Sequence, residues 1–258
     1  MKVGFIGSGA ICQYVMDQAN LQNDYSFRVN SLFVRNMTKY EHLKERYGVN
    51  LYDDFTQFLN SDIDVVVEAA TIEAVLEYVP QALKSHNVVV ISIGAFNDAH
   101  FYDKVRRMTE KNKTKLFVPS GAIGGLDFIQ HVATTNTVED ITLETRKPAH
   151  TLVDEPVAKP TVIFNGSASE VIDKYPRNMN VAIALGLAGI GFSKTHVRLI
   201  ADPTVDKNVH MITAKGAFGE ATIEIKNDPL PDNPKSSYLA AISIVGMLEK
   251  MNRAIVIS

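Results

Sequence analysis

Directly after a short apolar run, Val3 to Ile6, the segment Gly7-Ser8-Gly9-Ala10-Ile11-Cys12 sets two glycines two residues apart. Glycine at the first position permits a tight turn, and glycine at the second lets backbone approach a pyrophosphate seated on a helix N-terminus. Gly7 and Gly9 fill these positions, Ala10 and Ile11 open the helix, and Cys12 stands where the usual pattern has a third glycine. A dinucleotide is the ligand that this context points to; a tight strand-to-helix turn without a ligand is the other reading. A site for NAD carries an acidic residue about 20 residues further on, to accept from the ribose 2′-hydroxyl. Here the second apolar run ends Leu32-Phe33-Val34-Arg35-Asn36, with no acid. Arg35 can pair with a 2′-phosphate or stack on adenine, so NADP is expected to be accepted as well as NAD, unless Arg35 is only a solvated surface residue.

Proton transfer near neutral pH needs a group that titrates there, and imidazole is the usual one. The chain offers His42, His86, His100, His131, His150, His196 and His210, and residue type alone does not choose among them. A single cysteine excludes an intramolecular disulfide and a thiolate zinc cage. No metal site is expected, and a reducing cytoplasm fits best. With 26 Lys and Arg against 29 Asp and Glu, the net charge of −3 lacks the positive excess that phosphate-backbone binding needs, so nucleic acid is not an expected partner. Nor is a membrane: no stretch of about 18 apolar residues occurs, and the N-terminal apolar run is too short for a signal peptide.

These residues must be held by a fold, and 258 residues with 46% hydrophobic and 21% charged side chains can build one large or two modest domains. Short apolar runs at Val3–Ile6, Phe27–Val34, Val65–Ala69, Val88–Ile93 and Leu116–Val118 alternate with helix-period segments around Thr38–Tyr47, Ile72–Lys84 and Asp98–Lys111. That alternation predicts an N-terminal Rossmann-type doubly wound parallel sheet over residues 1–118. Small residues and a proline at Pro119-Ser120-Gly121-Ala122-Ile123-Gly124-Gly125 break the pattern. Beyond them Ile141–Arg146, Thr195–Ile200, Val209–Ala214 and Ala221–Ile225 alternate with period two, and Ser167–Tyr175 and Asn180–Ala188 read as helices. A second α+β domain with a mostly antiparallel sheet is therefore expected over 119–235, carrying substrate and catalysis. Residues 236–258 are expected to form a terminal helix that packs back on the first domain.

In the second half several peptides are more distinctive than periodicity explains. They run in the order Pro119-Ser120-Gly121-Ala122-Ile123-Gly124-Gly125-Leu126-Asp127, Thr145-Arg146-Lys147-Pro148, Phe164-Asn165-Gly166-Ser167-Ala168-Ser169-Glu170, Tyr175-Pro176-Arg177-Asn178-Met179-Asn180-Val181-Ala182, Ala201-Asp202-Pro203 leading to Asn208-Val209-His210, and Asn233-Pro234-Lys235-Ser236-Ser237. This ordered set resembles the L-aspartate dehydrogenase family, over nearly the whole chain. The resemblance implies NAD(P)-dependent oxidative deamination of L-aspartate to iminoaspartate, which hydrolyses to oxaloacetate and ammonia or feeds NAD biosynthesis. It implies a homodimer and a small dicarboxylic amino acid as the partner. It makes His210 the active-site histidine, and Ala122 and Asn180 cofactor contacts.

A dicarboxylate needs fixed cations and donors, and the matching segments offer Arg146, Lys147 and Lys235, with Ser236 and Ser237 at the start of the last predicted helix. Their other reading is exposed basic residues at strand or loop ends. Asn178 and Asn180 can equally be an N-cap pair, the Ala122–Gly125 run a flexible turn, Cys12 a packing residue and Asp202 a turn former. Rival activities are a homoserine dehydrogenase, a dihydrodipicolinate reductase, whose paired histidines followed by Arg and Lys are absent, and a non-catalytic NAD(P) sensor.

Overall fold

The computed structural model describes residues 1–22, 24–175 and 179–255, with Lys235 described in its backbone only. Among them the chain forms two compact units, Met1–Pro119 joined by Ala240–Ser258, and Ser120–Leu239.

In the first unit the order is β1 (Lys2–Ile6), α1 (Ala10–Met16) running into a π-helical turn at Asp17–Leu21, β2 (Arg28–Phe33), α2 (Met37–Tyr47), β3 (Asn50–Tyr52), α3 (Phe55–Leu59), β4 (Val65–Glu68), α4 (Ile72–Ala82), β5 (Asn87–Val90), a 3-10 turn at Ile93–Asn97, α5 (Ala99–Asn112) and β6 (Leu116–Phe117). The six strands lie in the order β3-β2-β1-β4-β5-β6, and all their pairings are parallel. This is the doubly wound order whose direction reverses between β1 and β4. Val65-Val66-Val67 and Val88-Val89-Val90 are continuous apolar runs because helices cover both faces of such a sheet, and all six residues are buried. Side-chain caps start the helices: Asn36 accepts from Lys39 N–H at α2, and Thr71 from Ala74 N–H at α4. Gly48, with φ +67, ends α2 in the left-handed conformation. Two short elements, β3 and α3, were not expected from sequence; each spans too few residues to show a period.

The second unit comprises α6 (Leu126–Ala133), β7 (Val138–Pro148), a 3-10 turn at Ala149–Thr151, β8 (Thr161–Ser167), α7 (Ala168–Lys174), α8 (Asn180–Ala188), β9 (Thr195–Asp202), β10 (Asn208–Gly216), β11 (Gly219–Asn227), β12 (Pro229–Leu230), β13 (Asn233–Ser237) and the start of α9 (Tyr238–Asn252). Its five-stranded sheet has the order β11-β10-β7-β9-β8. Three pairings are antiparallel and β7 with β9 is parallel, because the chain returns from β8 through α7 and α8 and inserts β9 between β8 and β7. The segment 161–167, unassigned from sequence, is the edge strand β8, and its lack of a buried alternation explains why it did not stand out. In α8 nearly every residue from Val181 to Ala188 is buried, as a helix apolar all round must be.

From Ala240 onward α9 belongs to the first unit, where Ile244, Val245 and Leu248 join the core of Val3, Phe5, Val29 and Leu32. The end of this helix is also tied to the chain's beginning. Glu249 accepts from Ser26 N–H and Oγ at 2.6 and 2.9 Å, and the Ser26 carbonyl accepts from Asn252 and from the Met1 ammonium at 2.9 and 3.0 Å.

Candidate active site

In the first unit a cleft of about 400 Å³ opens at the carboxyl edge of the sheet, lined by Gly7, Ser8, Gly9, Arg35, Lys39, Tyr40 and the Ala69-Ala70-Thr71 turn among others. Gly7 adopts φ +98, and a Cβ there would lie 2.9 Å from Ala70 Cβ and 3.0 Å from the Ala69 carbonyl, so only glycine lets the two turns close on each other. A Cβ on Gly9 would meet nothing within 4 Å, so its backbone faces open space. Gly9 caps α1 without a side-chain hydrogen bond, which leaves the first amide groups, on Ala10 and Ile11, facing a ligand position. These residues fit a dinucleotide.

Arg35 and Lys39 are exposed on the cleft's rim, and neither is in an ion pair with a described residue. Between them and the glycine turn stands Tyr40. The Ser8 side chain hydrogen-bonds its phenol and holds its pKa below the ordinary value, helped by the charges of Lys39 and Arg35.

In the second unit His210 lies on β10 directly opposite Thr145 on β7, both almost wholly buried. His210 Nδ1 is 3.0 Å from Thr145 Oγ1. Nδ1 is thus taken, Nε2 has no hydrogen bond to a described residue, and no described buried side-chain nitrogen is left unsatisfied. Nε2 is therefore the atom open to a reactant. Burial, with the nearby Lys147 charge adding to it, pushes the His210 pKa down to about 4, which keeps the ring neutral and able to accept a proton. Lys147 follows Thr145 by two residues on β7 and so shares its side of the sheet; burial lowers its pKa.

Arg146 is on the other side. Strand parity turns it away from Thr145 and His210, and its guanidinium is held by Glu144 at 2.7 Å and Asp202 at 3.3 Å. Glu144, itself buried, also takes Arg198 at 2.8 Å. Arg146, read from its motif as a substrate anchor, thus has its charge matched by two carboxylates and faces away from the histidine. Asp202 also closes a turn, accepting from Thr204 N–H at 2.8 Å.

Ala122 and Ser237 are drawn together at the end of β11, with Ser236 next in the chain. Buried Asn227, which sequence reasoning missed, donates to the Ala122 carbonyl at 2.8 Å and accepts from Ser237 Oγ at 2.6 Å. Its amide joins the turn at 121–125 to the strand before α9. Gly125 adopts φ +72 over Ile223, and Gly124 lies over Ile225, the residue paired with His210, which sets this turn beside the histidine. Ser236 and Ser237 end β13 rather than opening α9, which starts at Tyr238. Asn180 is the first residue of α8 and exposed, with Met179 in the cap position, so it is not an N-cap; Asn178 lies outside the described residues, as does the Lys235 side chain.

Residues 3–119 match the family model for the homoserine dehydrogenase NAD-binding domain, and residues 127–251 the model for the aspartate dehydrogenase C-terminal domain. An L-aspartate dehydrogenase of Methanospirillum hungatei is 36% identical over 258 residues, covering 100% of this chain and 99% of that one. The chain belongs to the aspartate dehydrogenase family. An Archaeoglobus fulgidus member of that family is 38% identical over 100% of both chains. The crystal structure of the Thermotoga maritima aspartate dehydrogenase superposes with a TM-score of 0.81 at 32% identity, over 100% of this chain and 99% of that one. A Thiobacillus denitrificans homoserine dehydrogenase, with a TM-score of 0.61 at 14% identity, shares the fold alone. For an aspartate dehydrogenase family member the nicotinamide cofactor follows, and the cleft beside Gly7 and Gly9 is where this chain presents the groups to hold it.

Proposed function

We propose that this protein is an NAD(P)-dependent L-aspartate dehydrogenase that converts L-aspartate to iminoaspartate. The observation that carries the reading is likeness along the whole chain to enzymes of that name. When bound, the cofactor supplies the acceptor for the hydride that leaves Cα. The substrate ammonium must lose protons as the C–N double bond forms, and His210 Nε2 takes the proton at that nitrogen. Once that proton has passed to solvent, the same atom activates water if the imine is hydrolysed to oxaloacetate and ammonia; released unhydrolysed, the imine is the form that feeds NAD biosynthesis. Thr145 fixes the ring. Lys147 supplies a cation on the histidine's side of the sheet for a substrate carboxylate, with Lys235, Ser236 and Ser237 as further anchors and Ala122 and Asn180 as cofactor contacts.

NADP is proposed to be used at least as well as NAD. No carboxylate follows β2 to repel a 2′-phosphate, and Arg35 and Lys39 give the rim two cations there. Both are exposed, so their contribution is about 1 kcal/mol, roughly a fivefold effect on cofactor KM. The test is cofactor reduction with L-aspartate, D-aspartate, L-glutamate, L-homoserine and L-malate, using NAD and NADP in turn. L-Aspartate should dominate: L-homoserine lacks the second carboxylate and leaves a cation unpaired, L-malate lacks the amino nitrogen, and D-aspartate and L-glutamate cannot place Cα and both carboxylates in the same positions. His210→Ala should lower kcat about a hundredfold or more with cofactor affinity little changed. Equal turnover of L-homoserine would move the protein to the rival activity.

A further inference from the structure

Glu68 ends β4 in register with Ile6, the residue before the glycine turn, and with Val90 at the end of β5. It is wholly buried. Its carboxylate meets no cation among the described residues; instead Oε1 accepts from Ala70 N–H at 2.8 Å and Oε2 from Ser92 N–H at 3.2 Å. An ionised carboxylate, which only accepts, suits these two N–H donors, and the Ser92 hydroxyl is a further hydrogen-bond partner. Burial nonetheless works against the charge and raises its pKa, the backbone and Ser92 hydrogen bonds opposing that rise. An ion kept at such a cost calls for a function, because an apolar residue would fill a strand end more cheaply.

The turns it joins supply that function. Ala70 is the residue that Gly7 closes on, and Ala69, Ala70 and Thr71 line the cleft. One carboxylate thus fixes the turn after β4 to the turn after β5 and, through Ala70, backs the glycine turn after β1. It also lies on a definite half of the site. The pyrophosphate belongs at the first turn and the adenosine at the end of β2, so across the β1/β4 reversal the β4 and β5 turns face the nicotinamide half.

We propose that Glu68 is a positioning residue for the dinucleotide and that its charge, which no cation among the described residues neutralises, makes the site favour the oxidised, cationic nicotinamide over the neutral reduced one. The proposal rests on the chain holding a nicotinamide coenzyme, which wild-type titrations check separately. Each oxidised coenzyme and its reduced partner are titrated into wild type, Glu68→Gln and Glu68→Asp by calorimetry, with thermal unfolding measured alongside. Glu68→Gln removes the charge at constant size, and the Kd of the oxidised form should rise about tenfold and that of the reduced form no more than about threefold. Glu68→Asp keeps the charge but shortens the reach. It should weaken both forms severalfold at the wild-type ratio, a result that stands even if Glu68→Gln does not fold. Unchanged affinities in either variant overturn the proposal, as does an equal weakening of both forms in Glu68→Gln, which would make Glu68 structural only.

Discussion

At the scale of the residue the proposed site turns on one imidazole and one hydroxyl. Thr145 holds Nδ1 of His210 at 3.0 Å, and a methyl in its place would leave that nitrogen unsatisfied and the ring free to turn. Thr145→Val should lower kcat about tenfold with coenzyme affinity unchanged, and Thr145→Ser should restore it; equal loss in both would make the contact one of packing. The depressed pKa of His210 also links stability to pH. In the folded chain it is about 4, against about 6.5 unfolded. The neutral ring's contribution is therefore fully present above pH of about 6.5 and lost as pH falls towards 4, amounting at most to about 3 kcal/mol. Urea unfolding at pH 7 and pH 4.5 should show that loss in the wild type and a smaller one in His210→Leu. His210 was chosen in the sequence by the peptides around it, since seven imidazoles look alike by type. Thr145 stood inside a quoted peptide, but its partner is 65 residues away and only strand register brings them together. Asn227 and Glu68 carried no sequence signal at all, because what distinguishes them is burial with particular backbone groups.

Single elements decide which neighbours in sequence share a task. On β7 successive side chains leave the sheet on opposite faces, so Arg146 and Lys147 part company although they sit in one peptide. Lys147→Ala should raise the KM for L-aspartate about tenfold or more, as expected for loss of a charged partner. Arg146→Ala should leave that KM within about twofold and reduce unfolding stability by about 1 kcal/mol, since its guanidinium is partly exposed and Glu144 keeps Arg198. A raised KM in Arg146→Ala alone would reverse the assignment. The sequence did show a period-two strand here, so parity was legible in principle; the direction of the alternation was not, because it depends on which face the helices cover. The strands of the first unit were legible for the opposite reason. Valine runs buried on both faces need no parity, and with helical segments between them they leave only a parallel doubly wound sheet.

For the whole molecule the decisive feature is that the chain leaves the first unit at Pro119 and re-enters it at Ala240. Leu248, wholly buried in that core, ties its last helix down. Leu248→Ala should cost about 3 kcal/mol, seen as weaker coenzyme binding and earlier unfolding of the nucleotide-binding unit while the Ser120–Leu239 unit keeps its own transition. Simultaneous loss of both transitions would show that the two units do not unfold separately. The order in which a ribosome makes this chain gives that helix a further meaning. At 5–20 residues per second, the nucleotide-binding unit waits on the order of ten seconds between the emergence of β6 and that of α9. Throughout that interval the apolar surface that Ile244, Val245 and Leu248 will cover is bare. The inserted unit, contiguous in sequence, meets no such delay. A chain released before residue 240 should therefore carry a folded inserted unit beside an unfinished coenzyme-binding one, and the unfinished one is where a chaperone would hold it.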